Sequence, residues 1–370
     1  MSPAERVGAR WWPIGPSACI MAVASALAAM AASGCRSQPA AAAAPLTTVA
    51  ETRAMLSTFL TLTVVAESDA GAREHIEAGF ERIAELDQEL SAYRPDSALA
   101  AVNAGAARAP VAVPETLYRA LEAGVAWHPR THGAFDITVG PLIGLWRACG
   151  QENRLPTEND FARIRPLLGA DRILLDPTAR TVRFPVQGMR VDLGGLGKGL
   201  IADEAVKALK LRGVRSALVA MSGDIYALGT TAGGRPWRIG VQDPRLSRGG
   251  GALVTVLELT DRAVSTSGNY ERYTEIRGKR YSHIVDPRTG WAADAVSSVT
   301  VIGPDTLTTD ILDTSLSVLG VGEGLELASR LQGVEALFIV VDEEGELHFT
   351  RTPGFAKYEI RAGEGDARIQ

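Results

Sequence analysis

Cysteine is scarce in this chain, with only Cys19, Cys35 and Cys149 among 370 residues. The first two lie in, or directly after, an apolar N-terminal stretch. The rest of the chain therefore carries one cysteine and cannot form an intrachain disulfide. Its stability must come from a hydrophobic core, and 46% hydrophobic with 22% charged residues is typical of a globular protein.

Long runs of basic residues are also missing. The chain has no Lys/Arg-rich run and a formal net charge of -5, which argues against nucleic acid as a partner. Its length exceeds what one minimal core needs and predicts one large or two medium lobes.

The N-terminus has the features of a secretion signal. Arg6 and Arg10 precede residues 11–34, which carry no charge and end in small side chains. A cysteine directly after them resembles a bacterial lipoprotein signal and predicts a lipidated Cys35, although Ala32 stands where leucine is usual. A plain signal peptide and an uncleaved membrane anchor are the alternatives. All three place the body outside the cytoplasm, and we expect a lipid-anchored bacterial envelope protein facing the periplasm.

After the signal at 1–34, the sequence predicts a tether and one domain. Residues 35–50 have low complexity and no periodicity, as a flexible tether would, and the domain is expected to span 51–370. Helices and strands are mixed without strict alternation, which favours an α+β fold. Helices are predicted at 72–90, 115–127, 198–213, 307–320 and 322–333, and strands at 57–67, 216–229, 237–244, 252–259 and 297–303. A strand pair at 172–176 and 181–185, joined by a turn, and a closing hairpin at 336–350 are also predicted.

A glycine-rich loop at 191–199 leads into a predicted helix. Its glycines are Gly194, Gly195, Gly197 and Gly199. They would let a ligand approach the backbone, and the helix N-terminus together with Lys198 would favour an anion. The spacing matches neither a P-loop nor a dinucleotide-binding fingerprint. A purely structural loop with tight helix–strand packing is an equally good interpretation.

Asp310 and Thr314 lie four residues apart on a predicted helix, and therefore on the same face. Two oxygen donors one turn apart suit a hard cation such as Mg²⁺. The pair alone favours the simpler interpretation, in which Asp310 is a solvated acid and Thr314 a residue at the edge of the core.

His283 stands in the run Tyr-Ser-His-Ile-Val-Asp-Pro-Arg-Thr-Gly and is one of five histidines. It is either a histidine beside a turn, bonded to Asp286 or to backbone, or a general base, since an unperturbed imidazole titrates near neutral pH.

Two further segments have simple structural interpretations. Phe135 and Trp146 suit a core, Asp136 suits a turn cap, and the polar stretch with Tyr93, Ser97 and Asn103 suits a loop and helix N-cap.

Seven short patterns follow one another in a defined order. They correspond to the patterns "LSxYxxxSxxxxxN" at 90–103, "GAFDxTVGPLxxLW" at 133–146, "DLGGxxKGxxxD" at 192–203, "GGDIxxxG" at 222–229 (Ser-Gly-Asp-Ile here), "TSGxYER" at 266–272, "HIxDPxTG" at 283–290 and "ADxxxT" at 309–314 (Thr-Asp here). In this order the chain resembles the ApbE family, the FAD:protein FMN transferases, over nearly its whole length from about residue 51.

The resemblance implies a T-fold-like α+β architecture with two closely packed α/β lobes and the FAD site between them. It also implies an enzyme that binds FAD with Mg²⁺ and transfers FMN to a threonine hydroxyl of another protein while AMP leaves. The acceptor would be a subunit of an exported or membrane redox complex. Rival interpretations are an Mg²⁺-dependent FAD pyrophosphatase, with water replacing the threonine, and a non-catalytic FAD-binding lipoprotein.

The resemblance also implies roles for individual residues. Mg²⁺ would be held by Asp310, Thr314 and the backbone carbonyl of Gly197, and His283 would take the proton from the threonine. Contacts with FAD are implied for Met55, Tyr93, Ala134, Phe135, Asp136, Asp192, Gly195, Lys198, His283 and Ile284. The chain departs from the family at 55–58, where "MGT" is Met-Leu-Ser-Thr, and at Ser222, which replaces the first glycine of "GGD".

Overall fold

The structure is a computed structural model that describes residues 45–246, 252–269 and 272–360. The predicted signal, Cys35 and the first part of the predicted tether lie outside the described residues. The helices are α1 (Asp69–Leu90), α2 (Ala98–Gly105), α3 (Glu115–Arg130), α4 (Gly140–Gln151), α5 (Glu158–Ile164), α6 (Gly197–Leu211) and α7 (Thr306–Arg330). The strands are β1 (Thr47–Met55), β2 (Thr58–Ala66), β3 (Val111–Ala112), β4 (Leu174–Asp176), β5 (Thr181–Arg183), β6 (Ala217–Met221), β7 (Asp224–Leu228), β8 (Trp237–Gln242), β9 (Leu253–Leu259), β10 (Arg262–Gly268), β11 (Tyr273–Ile276), β12 (Lys279–Ser282), β13 (Ser298–Gly303), β14 (Glu335–Val341) and β15 (Leu347–Arg351).

A large antiparallel sheet organises the fold, in the order β1-β2-β6-β7-β10-β13-β14-β15. Alternate residues of its strands enter two apolar layers: in β6, Val219 joins the layer formed with α1, α6 and α7, and Leu218 joins the layer under the β8–β9 hairpin. The sheet is therefore covered on both faces, which explains why β13 is buried along its whole length. The α+β prediction is confirmed.

Long periodic segments behave as predicted. Leu60, Leu62 and Val64 of β2 are fully buried, and α1 buries Ile76 and Phe80. The two helices predicted around residue 320 are also observed, because Gly320 has φ +74° and ψ -177° and interrupts α7. The predicted hairpins β4–β5 and β14–β15 are both antiparallel.

The tether prediction is wrong from residue 47 onward, because β1 begins at Thr47 and pairs with β2 along its whole length. The strand lies at the edge of the sheet and buries only Val49 fully. Its threonines, alanines and charged residues give no apolar alternation to detect. Pairing with β2, a tertiary contact, makes this segment a strand.

A smaller apolar cluster supports the segment that contains His283. Trp146 of α4 packs with Phe161, Ile276 and Val285 in this cluster. The Trp146 indole Nε1 donates a hydrogen bond to the Gly290 carbonyl at 2.9 Å. Both Phe135 and Trp146 are buried, as predicted.

Two tight turns meet at one end of the large sheet. Leu56 and Ser57 of the β1–β2 turn have φ of +54° and +57°, and Ser222 of the β6–β7 turn has φ +57°. The Thr58 and Ser222 hydroxyls are hydrogen-bonded to each other and join the turns. Glycine adopts this left-handed backbone without strain, so the serine at 222 leaves a strained turn here.

Asp203 of α6 fixes the start of α7. Its two carboxylate oxygens accept from the N–H groups of Thr306 at 2.8 Å and Leu307 at 2.9 Å. Burial raises the pKa of Asp203 to about 6. This contact spans a hundred residues of chain and sets where the first turns of α7 lie.

Replacing Asp203 with alanine is expected to lower the free energy of unfolding by about 1–3 kcal/mol, because two N–H groups at a helix start lose their acceptor. Urea unfolding measures this loss, and a loss below about 0.5 kcal/mol would contradict the capping role.

Replacing Asp203 with asparagine isolates the effect of its charge. The folded-state pKa of about 6 exceeds the ordinary 3.8, so the folded state binds the proton more tightly. Wild-type stability relative to Asp203→Asn should therefore fall as pH rises from about 4 to about 6.

Candidate active site

Three buried carboxylates converge where α6, α7 and β7 meet. Asp224 opens β7, whereas Asp310 and Asp313 lie one turn apart on α7, and one oxygen from each lies within 4.8 Å of the others. Their exposed fractions are 1%, 2% and 2%. Among the described residues, these three carboxylates form the one group of His, Cys, Asp or Glu side chains close enough together to hold a metal ion.

The glycine-rich loop and the start of α6 cover this cluster. Lys198 forms an ion pair with Asp224 and places its Nζ 3.7 Å from Oδ1 of Asp310. The Gly199 N–H donates to the other Asp310 oxygen at 2.8 Å. A Cβ on Gly199 would lie 2.4 Å from the Thr306 carbonyl oxygen, so only glycine permits this helix approach. This tight packing confirms the structural interpretation of the loop, and its anion-binding interpretation stays a prediction.

The cluster has more negative than positive charge. Three carboxylates face one ammonium group, Lys198, so the cluster with Lys198 would carry a net charge of -2 if every group were ionised. Burial, with repulsion from Asp224, raises the pKa of Asp310 to about 7, and burial with repulsion from Asp310 raises the pKa of Asp313 well above its usual range. The Thr314 Oγ1 lies 3.3 Å from the Asp313 carboxylate and adds another oxygen. Buried, oxygen-rich and anionic, the donor set fits a hard divalent cation.

Three segments predicted to contact FAD lie against α7. A Cβ on Gly195 would lie 3.1 Å from the Phe135 ring and 3.2 Å from Oγ1 of Thr314. One turn further along α7, Ala134 and Ile284 pack together with Val318. The structure thus brings the segments around 134, 195 and 284 to one side of the metal-binding candidates.

Asp136 and Asp192 use their carboxylates within the chain. Asp136 accepts from both the N–H and the hydroxyl of Thr138, at 2.7 and 2.6 Å, and from the Gly169 N–H at 2.9 Å. Asp192 accepts from the Gly194 N–H at 2.8 Å. Burial raises the pKa of Asp192. The turn-cap interpretation of Asp136 is confirmed, and both acids shape the loops that flank the cluster.

His283 is exposed and is held by backbone. Its own N–H donates to the Arg272 carbonyl at 3.2 Å, and its Nδ1 lies 3.0 Å from the same oxygen. The carboxylate of Asp286 pairs with Arg288. The backbone contact expected of a structural histidine is therefore present, and it also fixes the orientation of the ring.

Other predicted residues lie less centrally. Gly197 begins α6, and its N–H donates to the Leu193 carbonyl at 2.7 Å. Met55 ends β1 at the joined turns and packs against the main core. Tyr93 is 71% exposed in the loop before α2. Their predicted roles toward FAD and the metal stay predictions.

Sequence reasoning did not select Asp224 and Asp313. Asp313 could have been found, because a residue three positions after Asp310 shares its helix face. Asp224 stands in the "GGDIxxxG" pattern, but its place beside Asp310 depends on the pairing of β7 with β10. Asn103, predicted to lie in a loop or helix N-cap, lies inside α2. Its amide bonds both backbone groups of Val191, at 2.7 and 2.9 Å, and so holds the start of the glycine-rich loop.

The fold and site define an α+β protein with a buried oxygen-donor cluster at a helix N-terminus, an arrangement suited to a hard cation and a phosphate. The chain belongs to the ApbE family, whose model matches residues 56–338.

Known relatives cover most of this chain. A protein of Treponema pallidum named FAD:protein FMN transferase is 35% identical over 286 residues, which are 72% of this chain and 77% of the relative. A Klebsiella pneumoniae protein of the same name is 33% identical and covers 72% of this chain and 82% of its own.

Solved structures agree. Flavin transferase ApbE from Vibrio cholerae has a TM-score of 0.74 at 27% identity. The match covers 85% of this chain and 100% of that structure's chain. The apo form of Pseudomonas stutzeri flavinyl transferase ApbE has a TM-score of 0.74 at 32% identity. The match covers 85% of this chain and 97% of that structure's chain.

Proposed function

We propose that this protein transfers FMN from FAD to a threonine hydroxyl of an acceptor protein and releases AMP. The observation that carries the proposal is the buried cluster of Asp224, Asp310 and Asp313 beneath the N-terminus of α6. Relatives at 35% and 33% identity carry the name FAD:protein FMN transferase, which supports the same activity here.

Mg²⁺ fits the cluster because every candidate donor is an oxygen. Asp310, Thr314 and the Gly197 carbonyl would hold it, and Asp224 and Asp313 add negative charge beside them. When bound, Mg²⁺ neutralises charge on the FAD pyrophosphate. The N–H groups at the start of α6 favour the same phosphates.

His283 is the proton acceptor in this proposal. The threonine oxygen bonds to the phosphorus of the FMN half, the bond from that phosphorus to the AMP oxygen breaks, and AMP leaves with the electron pair. A hydrogen bond from Nδ1 to the Arg272 carbonyl requires the proton on Nδ1, so Nε2 carries the lone pair that takes the threonine proton.

The remaining predicted residues bind and orient FAD. Phe135 and Gly195 lie beside Thr314, and Ala134 packs on Ile284 next to His283. FAD along these segments would have its pyrophosphate near the carboxylate cluster and the acceptor on the side of His283. Lys198, Asp136 and Asp192 hold the cluster and the loops in place, and Met55 and Tyr93 are proposed as outer contacts.

Incubation of the protein with FAD, Mg²⁺ and a candidate flavin-acceptor domain tests the proposal. We expect in-gel flavin fluorescence on the acceptor and one AMP for each flavin attached. EDTA should prevent both, and an acceptor without its target threonine should stay dark. Free FMN with AMP, and no labelled acceptor, would identify an FAD pyrophosphatase. Bound FAD that stays intact would identify a carrier.

We also propose that the protein is a lipoprotein of the cell envelope, anchored through Cys35 and facing the periplasm, where it modifies a subunit of an exported or membrane redox complex. The signal-like residues before Cys35 support this proposal. In the described ranges, no helix has the length and apolar character needed to span a bilayer.

Replacing Cys35 with serine should remove the lipid and let washing release the protein from membranes, because a thiol is needed for lipidation. Labelled fatty acid and membrane fractionation measure both effects, with Cys149→Ser as the matched control. Incorporation of label into Cys35→Ser would show that the lipid, if any, is attached elsewhere.

A further inference from the structure

The β11–β12 hairpin carries an unusual concentration of positive charge. Its exposed cationic residues are Arg272, Arg277, Lys279 and Arg280, and its one carboxylate is Glu275. We name the segment 272–282 the basic hairpin. None of its four cations forms an ion pair with a carboxylate in the ranges that the structure describes, although the whole chain has a formal charge of -5.

The two faces of the basic hairpin differ. Ile276 is buried, and Thr274 lies against α4, where a Cβ on Gly150 would be 2.4 Å from its methyl group. These residues mark the inner face. Residues on the outer face include Tyr273, which is 43% exposed, and Arg280, whose guanidinium lies 4.4 Å from the centre of the Tyr273 ring.

The basic hairpin is continuous with the proposed proton acceptor. The Arg272 carbonyl accepts from the His283 N–H at 3.2 Å, and Tyr273 pairs with Ser282, the residue before His283. A protein whose threonine reaches His283 must therefore place the neighbouring part of its surface on or beside the hairpin.

We propose that the basic hairpin docks an acidic segment of the flavin-accepting protein, next to its target threonine. This inference rests on the proposed function. Cations without carboxylate partners attract an acidic surface at long range and orient it on contact. An anionic membrane would also be attracted, but a membrane on this face would cover His283, which the reaction needs open to a protein hydroxyl.

Two double variants of equal charge change test the docking surface. Arg277→Glu with Arg280→Glu reverses charge at the turn and on the outer face of the hairpin, away from the residues assigned to catalysis. Arg73→Glu with Arg215→Glu is the control. Both of its arginines are exposed: Arg73 lies near the start of α1, and Arg215 lies just before β6.

The probes are a labelled peptide with one threonine flanked by Asp and Glu, the same peptide with Lys in their place, and vesicles of phosphatidylglycerol with phosphatidylcholine. By fluorescence anisotropy, we expect the acidic peptide to bind the full protein at least about tenfold more tightly than the basic one. The hairpin variant should lose this preference and the control should keep it. Added salt should weaken binding to the wild type.

Equal affinity for both peptides, or an unchanged preference in the hairpin variant, would overturn the docking surface. Vesicle binding that the hairpin variant loses, without peptide preference, would assign the surface to a membrane instead. AMP release from FAD and flavin attachment in the same preparations are separate readouts. Their absence would refute the proposed function whatever the peptides do, and their presence without peptide discrimination would refute only the docking surface.

Discussion

Replacing Asp310 with alanine is expected to reduce FMN transfer by at least about 10³-fold, to the level of the wild type in EDTA. Asp310 is 2% exposed and lies within 4.8 Å of two other carboxylates, so its removal dismantles the proposed cation site. Charge on the pyrophosphate would then go unneutralised, which costs several kcal/mol in the transition state.

Metal binding provides a readout other than turnover. Titration of Mg²⁺ by calorimetry should show binding to the wild type and none to Asp310→Ala. Asp305→Asn is the matched control, because it changes an aspartate on the same helix to a residue that caps equally well. Normal transfer by Asp310→Ala in metal-free buffer would rule out the metal assignment.

Replacing His283 with alanine is expected to slow transfer by about 10² to 10⁴-fold, the usual contribution of a positioned general base. FAD affinity should fall far less than the transfer rate, because the metal site and the other predicted FAD contacts are unchanged in the variant. The wild-type rate should fall at low pH as the imidazole is protonated, and this limb should vanish in the variant.

Single-turnover transfer, FAD affinity and melting temperature should be measured on one preparation, with His348→Ala as the control. His348 is exposed and pairs with Asp342 near the last strand of the sheet. A structural histidine predicts a lower melting temperature and weaker FAD binding, with normal transfer per loaded molecule. Transfer within about threefold of the wild type would exclude His283 as the base.

The sequence by itself determined the elements with strong periodicity and the order of the chemical segments. The α+β class, the long helices and the break in α7 follow from local patterns, because apolar spacing and a glycine in the left-handed region act within one segment. Family membership follows from the order of seven patterns, which needs no knowledge of their distances.

Tertiary structure alone decided which polar residues share a site. β1 has no apolar alternation and is a strand because β2 pairs with it. Asp224 reaches Asp310 because of strand pairing, and Lys198 points to both because Gly199 lets α6 approach α7. The lack of ion pairs to the basic hairpin within the described ranges likewise depends on which carboxylates the fold brings near. Asp224 and Asp310 come from distant parts of the chain, and no local pattern encodes their contact.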